Sequence, residues 1–250
     1  MPTLRERHLQ DGVVKTIPLL QRYARALTGS AMAGRALVDL AQADFTLEPA
    51  GPRLKAQLFG QLQMAWKADP RSTPRARALE VVLLQRTEEF SLAELSHIFN
   101  LPGPYIFRLL NRAELAHRGA PPSRVLILER DALITLELCD CLAELGYRVV
   151  GIARSLAEAV CKAKEARPHI VISDLVMTDG SSGTQTAIAI AVTVQSLPTI
   201  FIDPPLPETL MDSEEIPGFA LSVPFLAADV EAVMRQAESL SRYEAAKLLL

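Results

Sequence analysis

The run Gly119-Ala120-Pro121-Pro122-Ser123 separates two stretches of chain with different hydrophobic periods. Before it, apolar residues recur at three- and four-residue spacing. After it, short apolar runs alternate with helical segments, and no single layer architecture takes both patterns. The spacing therefore predicts an all-α domain over 1–118, a linker at 119–123 and an α/β domain over 124–250. Two domains also suit a chain of 250 residues with 49 % hydrophobic content.

The first half reads as two small bundles. Val13, Val14, Ile17, Leu20, Tyr23, Ala24 and Leu27 form one stripe of a helix over 12–27. Thr28-Gly29-Ser30 stops it and caps a second helix over 31–45, with Ala33, Ala36, Leu37, Leu40 and Ala41 inward. A third over 53–67 puts Leu54, Leu58, Leu62 and Trp66 on one face, completing a bundle at 12–68. Asp69-Pro70-Arg71-Ser72-Thr73-Pro74 breaks the pattern. The second bundle, 74–118, then has a helix from Thr73 or Pro74 to 89 and a short one capped by Ser91, with Glu94 in the capping-box position. A last helix runs from 101 to 117. That is helix-turn-helix spacing, and on DNA its basic residues would be Arg108, Arg112 and Arg118; the alternative is that these are solvated charges of a small bundle.

The second half has the period of a doubly wound fold. Strands are predicted at 125–128, 147–151, 169–173, 199–202 and 219–222, with helices at 131–145, 155–167, 181–194, 207–215 and 227–241. The expected strand order is the flavodoxin-like 2-1-3-4-5. Open sheets of this kind place ligand chemistry outside the carboxyl ends of their strands. Asp174 sits there, at the end of the apolar run Val171-Ile172-Ser173, ahead of an Asp179-Gly180 turn.

Charge and composition narrow the function classes. Residues 1–118 carry 16 Lys and Arg against 11 Asp and Glu, and the remainder 10 against 18, so the halves stand at +5 and −8 within a net −3. Opposite signs favour docking of one domain on the other, over distances limited by a Debye length of about 8 Å, and +5 is low for nucleic acid. Cys139, Cys141 and Cys161 lack metal-ligand spacing and are expected as reduced core residues. No secretory leader follows the charged residues 5–8, and no apolar run reaches membrane-spanning length, so a cytoplasmic protein is expected. The four histidines are scattered and no glycine-rich phosphate loop follows a strand, so the chain does not read as an enzyme.

The second domain resembles the receivers of two-component response regulators, through Val125-Leu126-Ile127-Leu128-Glu129, Asp174 and Pro224. Arg22-Tyr23-Ala24-Arg25-Ala26-Leu27-Thr28-Gly29-Ser30, Thr73-Pro74-Arg75, Phe90-Ser91, Val150-Gly151-Ile152-Ala153-Arg154 and Asp179-Gly180-Ser181-Ser182-Gly183 narrow the resemblance to the PhyR family of general stress regulators. These have a sigma-factor-like domain ahead of a receiver. The resemblance implies an anti-anti-sigma role, in which the sigma-like domain captures an anti-sigma factor of the NepR type and releases an EcfG-type sigma factor, with a sensor kinase that the sequence leaves unassigned. It also implies a phosphoryl acceptor at Asp174, Mg²⁺ held by that acceptor and an acidic corner, a lysine on the phosphoryl oxygens, and a switch pair of hydroxyl and aromatic residues.

Four of those positions depart from the pattern. Arg130 stands at the second acid of the corner Glu129-Arg130-Asp131, Asp203 at the switch hydroxyl, Pro205 at the aromatic and Val223 at the lysine. If Mg²⁺ were bound, the acids left for it would be Asp174, Glu129 and Asp131. Phosphoryl transfer needs a metal and a cation to balance charge developing on the transferred oxygens. The substitutions instead predict a degenerate receiver in which Arg130 pairs with Asp174 or Asp203.

Overall fold

The computed structural model describes residues 4–43, 45, 52–68, 74–118, 121–194, 197–202 and 218–247. Asp203, Pro205 and the helix predicted at 207–215 lie outside the described residues. The chain divides into two compact units, Met1–Gly119 with Tyr243–Leu250, and Ala120–Arg242.

The first unit contains α1 (Leu4–Thr28), α2 (Ala31–Ala43), α3 (Leu54–Lys67), α4 (Pro74–Glu88), α5 (Leu92–Phe99) and α6 (Gly103–Arg118). Gly29, at φ 77°, turns the chain between α1 and α2. Gly34 lets the two helices touch, since a Cβ there would lie 2.8 Å from the Arg25 backbone nitrogen. α3 packs on α1, α2 and α5, so the two predicted bundles meet along it. Leu58, Phe59, Leu62 and Trp66 are all buried, with the Tyr23 ring tilted and the Phe90 ring edge-on against Phe59. Val14 and Leu40, placed by periodicity on core stripes, are exposed instead, at 59 % and 57 %.

Buried polar groups tie these helices together. Glu80 is fully buried and accepts from Trp66 Nε1 at 3.0 Å and Gln63 Nε2 at 3.1 Å, while Gln63 also bonds the Tyr23 hydroxyl. Burial pushes the Glu80 carboxyl up, against the pull of those two donors. Arg22 of α1 and Lys55 of α3 both reach the buried Glu88, at 2.7 and 2.8 Å. Arg53 forks onto Glu94 at 2.5 and 2.9 Å, and Glu94 closes a capping box with Ser91 at the start of α5.

The second unit has β1 (Arg124–Leu128), α7 (Ala132–Glu144), β2 (Arg148–Ala153), α8 (Leu156–Ala166), β3 (Ile170–Asp174), α9 (Gly183–Thr193), β4 (Thr199–Ile202), β5 (Gly218–Leu221) and most of α10 (Ala227–Lys247). Its five strands are parallel in the order β2-β1-β3-β4-β5. Both faces are covered, which is why β1 and β3 read as continuous apolar runs. The sequence predicts the whole of 124–250 in this domain, but Tyr243–Leu250 group with the helical unit. There Tyr243 is buried and Lys247 Nζ donates to the carbonyls of Ala26, at 2.9 Å, and Leu27, which end α1.

The cysteines correct an expectation. Cys139 and Cys141 are half-buried and Cys161 is exposed; all three are free. They ride on the outer sides of α7 and α8 because an amphipathic helix buries only one stripe. Among the described residues no helix is long and apolar enough to cross a membrane.

Candidate functional site

β1 and β3 are neighbours in register, with Leu128 opposite Ser173, so the residues after Leu128 and the end residue Asp174 emerge together at the carboxyl edge of the sheet. Three side chains face one another there. Arg130 Nε forms an ion pair with Asp174 Oδ2 at 3.1 Å, and Asp174 Oδ1 accepts the Val176 backbone N–H at 3.4 Å. Glu129 is buried at 2 % exposure, and its Oε1 accepts the Asp131 N–H at 2.8 Å. Burial pushes the Glu129 carboxyl up, its hydrogen bond from Asp131 opposes this, and the charge of Asp174 adds to the rise.

Asp131, the other acid of the corner, points elsewhere. Its Oδ1 accepts from the backbone of Leu133 at 2.7 Å and Ile134 at 3.3 Å, which makes it the N-cap of α7. The structure thus brings together Asp174, Glu129 and Arg130 and turns Asp131 away. Val223 lies two residues beyond β5, half-buried and without charge. These residues do not fit the Mg²⁺ that the receiver resemblance implies, because one acid caps a helix, another is buried and held by a backbone donor, and the third is paired with a guanidinium. Among the described residues no group of three His, Cys, Asp or Glu is placed to hold a metal ion.

The loop after Asp174 is tightly fastened. Met177 N bonds Ser181 O at 2.8 Å around Gly180, Asp179 Oδ1 accepts from Ser181 N and Asp179 Oδ2 from Leu156 N, both at 3.0 Å. Those donors hold the Asp179 carboxyl below its usual range, the Ser181 hydroxyl first among them. Thr178 N reaches Arg154 O at 3.0 Å, so the loop is pinned to the neighbouring β2–α8 turn. Gly183 then opens α9 directly against the end of β3. A Cβ there would sit 2.0 Å from the Asp174 carbonyl oxygen and 2.6 Å from Ser173 Oγ. The Asp-Gly dipeptide signals the turn in the sequence. The contact of Gly183 with Asp174 is tertiary and leaves no local sign.

In the helical unit, α5 and α6 form the expected pair, with Asn100 left-handed at the C-cap of α5. Arg108 and Arg112 are exposed on α6, and Arg118 ends that helix. Arg108 lies over the ring of Tyr105, 5.7 Å from its centroid, and both line a cavity of about 340 Å³ with Arg77, Pro102 and Leu109. Tyr105, Phe107 and Leu92 are large apolar residues left open to solvent nearby in sequence.

No family model matches the chain. The Phyllosphere-induced regulator PhyR of Methylorubrum extorquens is 32 % identical in an alignment that covers 90 % of this chain and 92 % of that protein. The chain belongs to the PhyR family. The crystal structure of the response regulator PhyR from Brucella abortus is similar to it at 29 % identity and a TM-score of 0.65, over 96 % of this chain and 97 % of that one. The anti-anti-sigma factor PhyR from Bartonella quintana matches equally well, at 29 % identity and a TM-score of 0.65, over 97 % and 100 % of the two chains. Coverage of both units by each PhyR relative gives this chain the family's order, with the helical unit first and the receiver last.

Proposed function

We propose that this chain is an anti-anti-sigma response regulator: its helical unit captures an anti-sigma factor of the NepR type and thereby frees an EcfG-type sigma factor. The observation that carries this reading is the end-to-end similarity to PhyR proteins, one of which is itself described as an anti-anti-sigma factor. The exposed apolar and aromatic residues Leu92, Tyr105 and Phe107 around the helix-turn-helix suit a protein partner better than a phosphate backbone.

The receiver in this reading is atypical. Phosphorylation of a carboxylate requires a metal and a lysine-like cation beside the acceptor. Here the acceptor is paired with Arg130 and the lysine position is Val223. Anti-sigma binding is accordingly expected without a phosphodonor. The test is calorimetric titration of the chain with a purified anti-sigma factor of the NepR type, with and without Mg²⁺ and a small phosphodonor, with mass spectrometry of Asp174 in parallel. The expected result is saturable binding in both conditions and no acyl-phosphate. Absence of binding in both conditions rejects the anti-sigma role. Stoichiometric label on Asp174 that raises affinity rejects the atypical receiver. A gel-shift titration with promoter fragments across salt concentrations tests the alternative use of Arg108, Arg112 and Arg118 on DNA.

A further inference from the structure

We propose that Arg130 is a built-in cation of the receiver, which balances the charge of Asp174 in the resting protein and closes the acidic pocket to divalent metal ions. This rests on the reading of the receiver as atypical and deepens it, by naming the group that replaces the ion and the metal site that reversing the replacement would restore.

The geometry supplies three reasons. The first is occupancy: Arg130 Nε forms an ion pair with Asp174 Oδ2 at 3.1 Å, while Oδ1 accepts the Val176 N–H at 3.4 Å. The second is ligand supply. Hard divalent cations collect about six oxygen ligands, several of them charged. Asp131 is committed to the backbone of Leu133 and Ile134, and Glu129 is buried and bonded to the Asp131 N–H, so Asp174 alone would remain. The third is charge. A divalent ion entering beside Asp174 would meet a guanidinium within a few ångströms, and repulsion at that range is large even at an effective dielectric of about 20.

The closure does not depend on the strength of the ion pair. Arg130 is 53 % exposed and Asp174 17 %, so the pair is partly solvated and contributes little to stability. When the guanidinium swings out, its charge stays within reach of Asp174 on the same side chain and still opposes a divalent ion there. The charge balance at Asp174 is therefore supplied by the chain itself rather than by a bound metal.

The experiment measures Mn²⁺ binding to the full chain by electron paramagnetic resonance, for the wild type, Arg130→Asp, Arg130→Ala and Arg130→Asp combined with Asp174→Asn. The wild type is expected to show no saturable Mn²⁺ site. Arg130→Asp, which converts a positive neighbour into a carboxylate facing Asp174 and Glu129, is expected to bind one Mn²⁺ at least ~10-fold more tightly, a modest expectation for a two-unit charge change a few ångströms away. Mg²⁺ should compete for that site and Asp174→Asn should remove it. A wild-type Mn²⁺ site that Asp174→Asn abolishes overturns the proposal. So does a folded Arg130→Asp that gains no site, since Arg130 would then not be what excludes the ion. If that variant fails to fold by circular dichroism, Arg130→Ala decides: a weak Mn²⁺ site supports the proposal, and none overturns it. Anti-sigma binding is read separately by calorimetry, so loss of the functional reading and loss of this one give different results.

Discussion

At the scale of single residues, the receiver's chemistry turns on which charges meet at the sheet edge. With Asp174 paired to Arg130 and the binding surface assigned to the helical unit, Asp174→Ala is expected to leave anti-sigma affinity within about twofold, below the 1.4 kcal/mol that a factor of ten represents; calorimetry checks it. Gly183 is the stricter position. Its missing Cβ would overlap the Asp174 carbonyl, and Gly183→Ala is expected to cost about 1–3 kcal/mol or more, as overpacking of backbone against backbone does, measured by urea unfolding. Glu94 gives a pH test. The hydrogen bonds of Arg53, ahead of those of Ser91, hold its carboxyl down at about 2. A depressed carboxylate contributes stability above its unfolded value and loses it as pH falls through the folded one. Acid unfolding between about pH 4.5 and 2 should therefore begin earlier in Arg53→Ala than in the wild type. Of these residues, Asp174 and Arg130 could be singled out from the sequence, because strand ends and departures from a motif are local. The separation of Asp131 from its two neighbours could not, because an aspartate before a helix serves equally as ligand or cap until the fold orients it.

At the scale of elements, helix starts are written plainly. Ser91 with Glu94, and Ser182 with Gln185, both form complete capping boxes, while Ser155 accepts from Glu158 N at the start of α8. Ser182→Ala should destabilise the receiver by about 1 kcal/mol, and hydrogen exchange should show the loss concentrated in α9, next to the acceptor strand. Periodicity was less dependable at the ends and edges. Val14 on α1 and Leu40 on α2 each follow helical spacing, yet both are exposed, because each helix buries only part of its apolar stripe. For the parallel strands the apolar runs sufficed, since burial on both faces demands them whatever the neighbours are.

At the scale of the whole molecule, the chain's last turn belongs with its first unit. Glu244 sits in that turn, and burial pushes its carboxyl up to about 7, with Arg25 and Lys247 pulling the other way. A carboxyl raised in the folded state adds stability that is complete below the unfolded value of about 4.3 and disappears as pH rises through about 7. Unfolding of the helical unit, followed by the emission of the single tryptophan Trp66, should thus need more urea at pH 5.5 than at pH 8, and Glu244→Gln should flatten that difference. Glu80 shifts in the same direction, so a smaller slope should persist in the variant.

Hydrophobic period, turn residues and the break at 119–123 determined the two fold classes, the strand order and the place of Asp174, because each follows from local rules that any neighbour must obey. Tertiary structure decided the rest: that α3 is shared by both helical groups, that Gly183 abuts Asp174, that Tyr243–Leu250 join the helical unit, and that Arg130 rather than Asp131 faces Asp174. Each of these depends on which surfaces meet across long stretches of chain, and a side chain's neighbour at the sheet edge is set by strand register and helix packing rather than by its own neighbours in sequence.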